Sequence, residues 1–378
     1  MKKFEKPIFV TQPTLPSLND LNNEIKDIFE SKWLTNHGEK HNLLEKRLGD
    51  VLKVKNVSLF NNGTIALLTA LKAMDLPVGS EVITTPFTFA ATPHTISWNN
   101  LNPVFCDIEP ITMTIDADKI EEHINDNTSA ILPVHVYGFP CDVEKIDKIA
   151  KEYNLKVIYD GAHVFSSEID GVGIGNFGDI AMFSFHATKL FNTFEGGCLT
   201  YNEDYLKDKI YDLRNFGIRG EDEVVDIGIN GKMNELQAAI GLLNLNLFEK
   251  EKEKRIDIYN KYVKNLKGVE GIKIPKSHKN ISNPSQYFPI IIEDNFNISR
   301  DKLYNILKEY NVFTRKYFYP LCSDYEPYKN LESSKKDNLP VANDIQNRIL
   351  CLPFYGDLSF DEIDKICEII TWINSKYK

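Results

Sequence analysis

Between about residues 50 and 200 the chain alternates short β-branched or apolar runs with turns and helical patterns: VSLF, EVITT, PVFCD, SAILPVHV, KVIYD and DIAMFSF. That rhythm predicts an α/β fold built on a mainly parallel sheet covered by helices. Gly63 to Met74 and Asp142 to Tyr153 carry apolar residues at three- and four-residue spacing, as crossover helices on such a sheet should. From Asn234 a longer apolar-periodic stretch, NELQAAIGLLNLNLFEKEKEKRIDIYNKYVKNL, predicts a helix able to leave the sheet, with the domain hinge on or beside it. Beyond it come a Gly/Pro/Ser/Asn-bearing stretch (KGVEGIKIPKSHKNISNPS), a strand candidate YFPIIIE, a helical SRDKLYNILKEY and a strand-like VFTRKYF, an order that fits a small α+β lobe. The mixed-charge run EKEKEKR reads as a solvated helix face. At 378 residues the chain exceeds the ~100–200 usual for one domain, so two lobes are expected, with one oversized α/β domain as the other arrangement.

Composition enters chiefly by what it excludes. Apolar residues make up 42% and charged residues 26%, enough for a substantial core and too apolar for a mostly disordered chain. A net charge of -10 repels phosphate backbones and anionic lipid heads, so neither nucleic acid nor a membrane surface is an expected partner. The six cysteines, at 106, 141, 198, 322, 351 and 367, form no CxxC pair and no metal-site spacing, so no metal is expected. The first residues, MKKFEKPIFVTQPTLP, break with charges and prolines where a secretory apolar segment would run, and no window approaches the ~18 apolar residues of a membrane span. A soluble, cytoplasmic setting is the expectation.

Three places carry candidate chemistry. LFNNGTIAL ends an apolar strand in Asn61-Asn62-Gly63-Thr64 and opens a helix at once, which suits either an anion at the helix N-terminus or an ordinary cap. KVIYD delivers Asp160 to the ligand-binding edge of an open parallel sheet, followed by Gly161, Ala162 and His163. A carboxylate there can hold a protonated ring nitrogen or cap a turn, and a lone histidine is more often a satisfied structural residue than a catalyst. Lys189, in FSFHATKLFNTFEGG, stands beside Phe185, Leu190 and Phe191, with Ser184, His186, Thr188 and Thr193 nearby and the turn Glu195-Gly196-Gly197 leading to the next strand, CLTY. Desolvation by such neighbours lowers an amine pKa and makes it a nucleophile toward aldehydes.

FSFHATKLFNTFEGG, VIYDGAH, NNGTIALLTAL, TTPFTFAAT and INGKMNELQAAIGL together resemble the pyridoxal-phosphate-dependent sugar-nucleotide aminotransferases of the DegT/StrS type. The likeness runs from TQPTLPSL and KWLTNHG to LPVANDIQNRILCLPFY, nearly the whole chain. It implies the type I aminotransferase fold: a seven-stranded, mainly parallel sheet in a large cofactor-binding domain over 14–245, and a small C-terminal α+β domain over 246–378 with segment 1–13 packing alongside.

By the same resemblance Lys189 carries the cofactor as a Schiff base and, once released, moves the proton between substrate carbon and cofactor, while Asp160 pairs with the pyridinium nitrogen. Phe89 covers one ring face and His163, or its neighbour Ala162, the other. Gly63, Thr64 and Ser184 bind the phosphate, joined by Asn230 from a neighbouring subunit, so a homodimer with shared active sites is implied. Thr35 and Asn36 in KWLTNHG, His186, and Lys316 and Tyr317 in TRKYFYPL are the candidate substrate contacts. Many relatives read Asn-Tyr-Arg where this chain has Asn230-Gly231-Lys232, which removes a contact that Arg makes elsewhere.

HATK followed by Leu-Phe-Asn-Thr, with TQPTLPSL and KWLTNHG, is similar to the subgroup acting on dTDP-linked 6-deoxyhexoses. The implied reaction takes an amino group from L-glutamate, through pyridoxamine 5'-phosphate, to C4 of dTDP-4-keto-6-deoxy-D-glucose, giving dTDP-4-amino-4,6-dideoxy-D-glucose for surface polysaccharide such as O-antigen. Amination at C3 of a 3-keto isomer would use every one of the same catalytic residues and is the alternative. The deoxysugar dehydrases of the family replace the lysine with histidine or add an iron–sulfur cluster, which Lys189 and the scattered cysteines oppose. A non-catalytic sensor or scaffold on the same fold is the other class considered.

Overall fold

The computed structural model describes residues 1–277 and 286–378. In chain order the large lobe contains α1 (Leu18–Ser31), α2 (Glu39–Leu52), β2 (Asn56–Phe60), α3 (Gly63–Ala73), β3 (Glu81–Thr84), α4 (Ala91–Trp98), β4 (Asn102–Phe105), β5 (Thr128–Leu132), α5 (Val143–Glu152) and β6 (Lys156–Asp160). A small hairpin follows, β7 (Glu168–Ile169) with β8 (Val172–Gly173), then β9 (Ile180–Ser184), β10 (Gly197–Tyr201) and α6 (Tyr205–Arg214). Each of the six runs read as strands lies on one strand of the main sheet, and CLTY falls in the seventh.

The seven strands lie in the order β2-β10-β9-β6-β5-β3-β4, and β10 alone runs against the others. Both faces are dry. Along β6, Val157 and Tyr159 enter one core and Ile158 the other, and β9 alternates likewise with Ala181 and Phe183 against Ile180 and Met182. This is the two-residue period of a strand covered on both sides. Helix α3 is sandwiched, burying Ala66, Leu67, Ala70, Leu71 and Ala73, whereas α5 buries one stripe, Val143, Ile146, Ile149 and Ala150.

Helix α7 (Glu235–Leu266) opens on a capping box, with the Asn234 side chain accepting from Gln237 N–H and the Gln237 side chain accepting from Asn234 N–H. Its first half, with Ala238, Leu242, Leu245 and Phe248, packs into the large core, and its second half, with Ile258, Tyr262 and Leu266, into the small one. We propose that the lobes divide on this helix, as 14–245 and 246–378. The charge run on α7 is not wholly solvated: the i,i+4 pair Glu251 and Arg255 is buried at 6% and 0% exposure, against the chain at Gly356.

The small lobe holds β11 (Ile272–Lys273), β12 (Phe288–Ile292), α8 (Arg300–Glu309), β13 (Val312–Phe313), α9 (Pro340–Arg348), β14 (Ile349–Leu352) and α10 (Phe360–Lys376). Strands β11-β12-β14 form an antiparallel sheet. The N-terminal strand β1 (Ile8–Phe9) pairs in parallel with β13, and Phe4 and Ile8 enter the small-lobe core. VFTRKYF is strand at Val312–Phe313, where it pairs with the two-residue β1, and then meets β14 only at a single bridge between Arg315 and Cys351 before Tyr317 and Phe318 reach the cavity. Residues 278–285 of the stretch KGVEGIKIPKSHKNISNPS lie outside the described residues. A fourth cluster, with Phe87, Phe105, Tyr137, Tyr287, Phe318 and Cys351, welds the two lobes.

Candidate active site

The parallel strands deliver their C-terminal ends to one edge, and register decides what meets there. Phe60 and Ser184 both pair with Gly197, and Asp160 pairs with Met182, so the ends of β2, β9 and β6 and the start of β10 adjoin. They border a cavity of about 250 Å³ that is closed by Tyr287, Tyr317 and Phe318 from the small lobe. Gly63, Thr64, Phe89, Asp160, His163, Ser184, His186, Lys189 and Tyr317 all line it. A larger depression of about 750 Å³ at the β2 edge lies away from these groups, and its Lys53 and Lys55 are already paired with Glu168 and Asp204.

At one end of the cavity the N-terminus of α3 is capped by Asn62, whose side chain accepts from Ile65 N–H at 2.8 Å. A Cβ on Gly63 would stand 3.0 Å from the Ser184 Cβ, and one on Gly197 would stand 2.8 Å from Gly63 N. Two glycines thus bring the helix N-terminus against the Ser184 hydroxyl, a seat of N–H and O–H donors suited to an anion.

At the far side Asp160 is buried at 5% exposure. Its Oδ2 accepts from the Thr92 hydroxyl at 2.8 Å and its Oδ1 from Ala162 N–H at 3.1 Å, and Thr92 meets Thr88 at 2.8 Å. Burial pushes the Asp160 carboxyl pKa up, opposed by Ala162 N–H, the Thr92 hydroxyl and the charge of Lys189. Such a carboxylate is at rest only beside a cation. Lys189, on the irregular loop after β9, is lowered to about 8 by burial, opposed by Asp160. The Tyr287 ring lies 6.0 Å from its Nζ.

His163 is buried. Its Nδ1 accepts from Tyr137 N–H at 3.2 Å, which leaves the proton to the other nitrogen, and burial followed by the Lys189 charge holds its pKa well below the ordinary value. Phe89, by contrast, is 62% exposed, a large apolar face bare at the cavity rim. Between phosphate seat and buried carboxylate, with a flat apolar wall and a deprotonatable lysine, the donor set fits pyridoxal phosphate.

The remaining predicted residues are elsewhere. Thr35 and Asn36 occupy an exposed turn between α1 and α2, outside the cavity lining. Lys316 pairs with Asp301 at 2.5 Å and lies over Tyr304, also outside the lining. Asn230 is exposed beyond the cavity, its Oδ1 accepting from Lys232 Nζ at 3.2 Å. Several lining or supporting residues escaped the sequence. Thr88 and Thr92 stand in PFTFAAT at helical spacing, a readable signal, whereas Tyr287 and Phe318 reach the cavity only by lobe packing.

A type I fold with a lysine facing a buried carboxylate across the strand ends has the arrangement of a pyridoxal-phosphate-dependent enzyme. Known proteins sharpen the class. The DegT/DnrJ/EryC1/StrS aminotransferase family profile matches residues 17–371. A dTDP-4-amino-4,6-dideoxy-D-glucose transaminase of Shigella dysenteriae is 47% identical over 97% of this chain and 99% of its own. Among solved structures, DesI with its TDP-sugar product superposes with a TM-score of 0.92 at 31% identity, covering 100% of this chain and 95% of the other. A putative sugar aminotransferase from Streptococcus pneumoniae, in its PMP form, gives 0.89 at 25%, covering 98% of each. The chain belongs to the DegT/DnrJ/EryC1/StrS aminotransferase family, and is a sugar-nucleotide aminotransferase.

Among the described residues no group of His, Cys, Asp and Glu could hold a metal ion, and no helix is long and apolar enough to cross a membrane.

Proposed function

We propose that the protein transfers the amino group of L-glutamate to C4 of dTDP-4-keto-6-deoxy-D-glucose, forming dTDP-4-amino-4,6-dideoxy-D-glucose. The observation that carries the chemistry is Lys189 in the cavity opposite Asp160, and the near-full-length likeness to the Shigella enzyme supports the choice of sugar. Pyridoxal phosphate, when bound, supplies the carbonyl that exchanges amino groups and the ring that withdraws electrons from the reacting carbon. Asp160 would hold the ring nitrogen protonated, helped by Thr92 and Ala162, which keep its charge oriented. Gly63, Thr64 and Ser184 would take the phosphate, and Phe89 and His163 would lie against the two ring faces.

Lys189 Nζ would anchor the cofactor and, once released, would hold and move the proton at the reacting carbon. An amine pulled to about 8 can do both jobs, since near neutral pH its two protonation states interconvert at little cost. Tyr287, Tyr317 and Phe318 wall the same cavity on the small-lobe side. His186, at the mouth, would border the sugar.

Asn230 would complete the phosphate site of a second copy, which makes a homodimer the functional unit. The product would enter surface polysaccharide such as O-antigen, and the enzyme would work in the cytoplasm, in keeping with six buried free cysteines.

The test is spectroscopic. Purified protein should show a visible band that L-glutamate bleaches and the keto-sugar restores, with a C4 amine in the product NMR spectrum. A C3 amine from the 3-keto isomer would move the substrate alone. A colourless protein indifferent to pyridoxal phosphate would overturn the reading.

A further inference from the structure

The loop that carries Lys189 belongs to neither helix nor strand, so its peptide groups need partners of another kind. Lys189 N–H is used locally, on the carbonyl of His186 at 2.8 Å. The peptides on either side are held from far away. Gln286 Oε1 accepts from Leu190 N–H at 2.9 Å, and Gln286 Nε2 donates to the Thr188 carbonyl at 2.8 Å. A flipped amide would set donor against donor and acceptor against acceptor, so one orientation satisfies both contacts. Gln286 is itself fixed, at 3% exposure, by its N–H on the Tyr137 carbonyl at 2.7 Å.

We propose that Gln286 is a positioning residue for Lys189, clasping the backbone on both sides of the lysine from the start of the small-lobe sheet. The inference rests on the functional reading above. It gives the lobe junction a task beyond shielding. Lysine has four rotatable side-chain bonds, so its amine can swing between anchor and proton carrier with a fixed reach only if its root stays still. Tyr287, the next residue, stands 6.0 Å from Nζ, edge-on to His163, so the same dipeptide holds the root and walls the tip. A displaced small lobe would loosen the clasp and the wall together.

Gln286→Met keeps length and volume and removes both hydrogen bonds. With substrates, kcat should fall about 10–100-fold, the scale of a misplaced reacting group, while KM for both substrates stays within about twofold. The second readout needs no cofactor: the rate at which a small aldehyde and borohydride alkylate Lys189, read by mass spectrometry against pH. The wild-type midpoint should lie near 8 and that of Gln286→Met about one pH unit higher, as water reaches the amine.

An unchanged midpoint, with or without a lower melting temperature, would leave Gln286 a structural residue and overturn the proposal. Should the variant not fold, wild-type hydrogen exchange decides. Leu190 N–H should exchange as slowly as the amides of β9, and exchange at loop rates would overturn the clasp. A wild-type protein that binds no pyridoxal phosphate would overturn the functional reading instead, and the cofactor-free measurements would still judge this one.

Discussion

Two acid–base pairs among the described residues differ in what lies between their charges. Glu251 and Arg255, one turn apart on α7, touch at 2.9 Å, and Gly356 N–H closes on the same carboxylate at 3.0 Å. The fit is tight enough that a Cβ on Gly356 would overlap the Glu251 carboxylate. Asp160 and Lys189 instead face a common cavity, one raised and the other lowered in pKa by burial, each still drawn toward its charged form by the other. The closed pair fixes α7 to the small lobe through Arg255 Nε and Gly356 N–H, although both Nη atoms of Arg255 stay buried without a hydrogen-bond partner. An open pair is a standing demand for a ligand that is cationic at one end and reactive toward an amine at the other.

If that contrast is right, the open pair governs chemistry and the closed pair governs folding. Lys189→Ala should abolish transamination, by about 10⁴-fold or more, and remove the visible band while leaving the melting temperature near wild type. Turnover at the wild-type rate would end the assignment. Glu251→Gln leaves Arg255 buried against a neutral partner and should cost about 3–5 kcal/mol in denaturant unfolding, with kcat of the folded protein unchanged. A stable but inactive Glu251→Gln would erase the distinction between the pairs.

Asp160→Asn should lower kcat about 10²–10³-fold, with a much smaller change in KM for the sugar, because the charge it supplies matters most as the reacting carbon gains electrons. An unaltered kcat would reduce Asp160 to a cap beside Thr92. Smallest, Gly63→Ala adds a methyl 3.0 Å from the Ser184 Cβ and 3.3 Å from the Met182 sulfur. It should cost about 1 kcal/mol of stability and weaken pyridoxal phosphate binding severalfold in a fluorescence titration. Full cofactor affinity would mean the phosphate sits elsewhere.

Much of the sheet lobe was legible in advance. Six runs and CLTY became the seven strands, and the helices at Gly63 and Asp142 appear within a residue or two of their expected ends. Buried parallel strands and crossover helices advertise themselves because each is defined by its own apolar period. The strand-like VFTRKYF was less legible, since a strand exists only where a neighbour offers hydrogen bonds, and β1 offers two residues. The solvated reading of EKEKEKR missed Arg255 and Glu251, because nothing in alternating charge tells which helix face another segment will cover.

The same division runs through the site. Asp160, Ser184, Gly63 and Lys189 could be read from sequence because each sits in or beside the end of a strand, and strand order places strand ends on one edge. Residue type, spacing and period, all local properties, marked Asp160, Gly63 and Lys189 as candidates, and the family resemblance supplied the roles expected of them and of Ser184. What the tertiary structure alone decided is which groups from afar close the cavity: Tyr287 and Phe318 as its wall, Gln286 as the clasp on Thr188 and Leu190, and Asp301 as the partner that holds Lys316 outside the lining. Gln286 lies nearly a hundred residues from the peptides it holds. Contacts of that kind depend on how two lobes dock, and docking is settled by the summed packing of both cores rather than by any pattern within one segment.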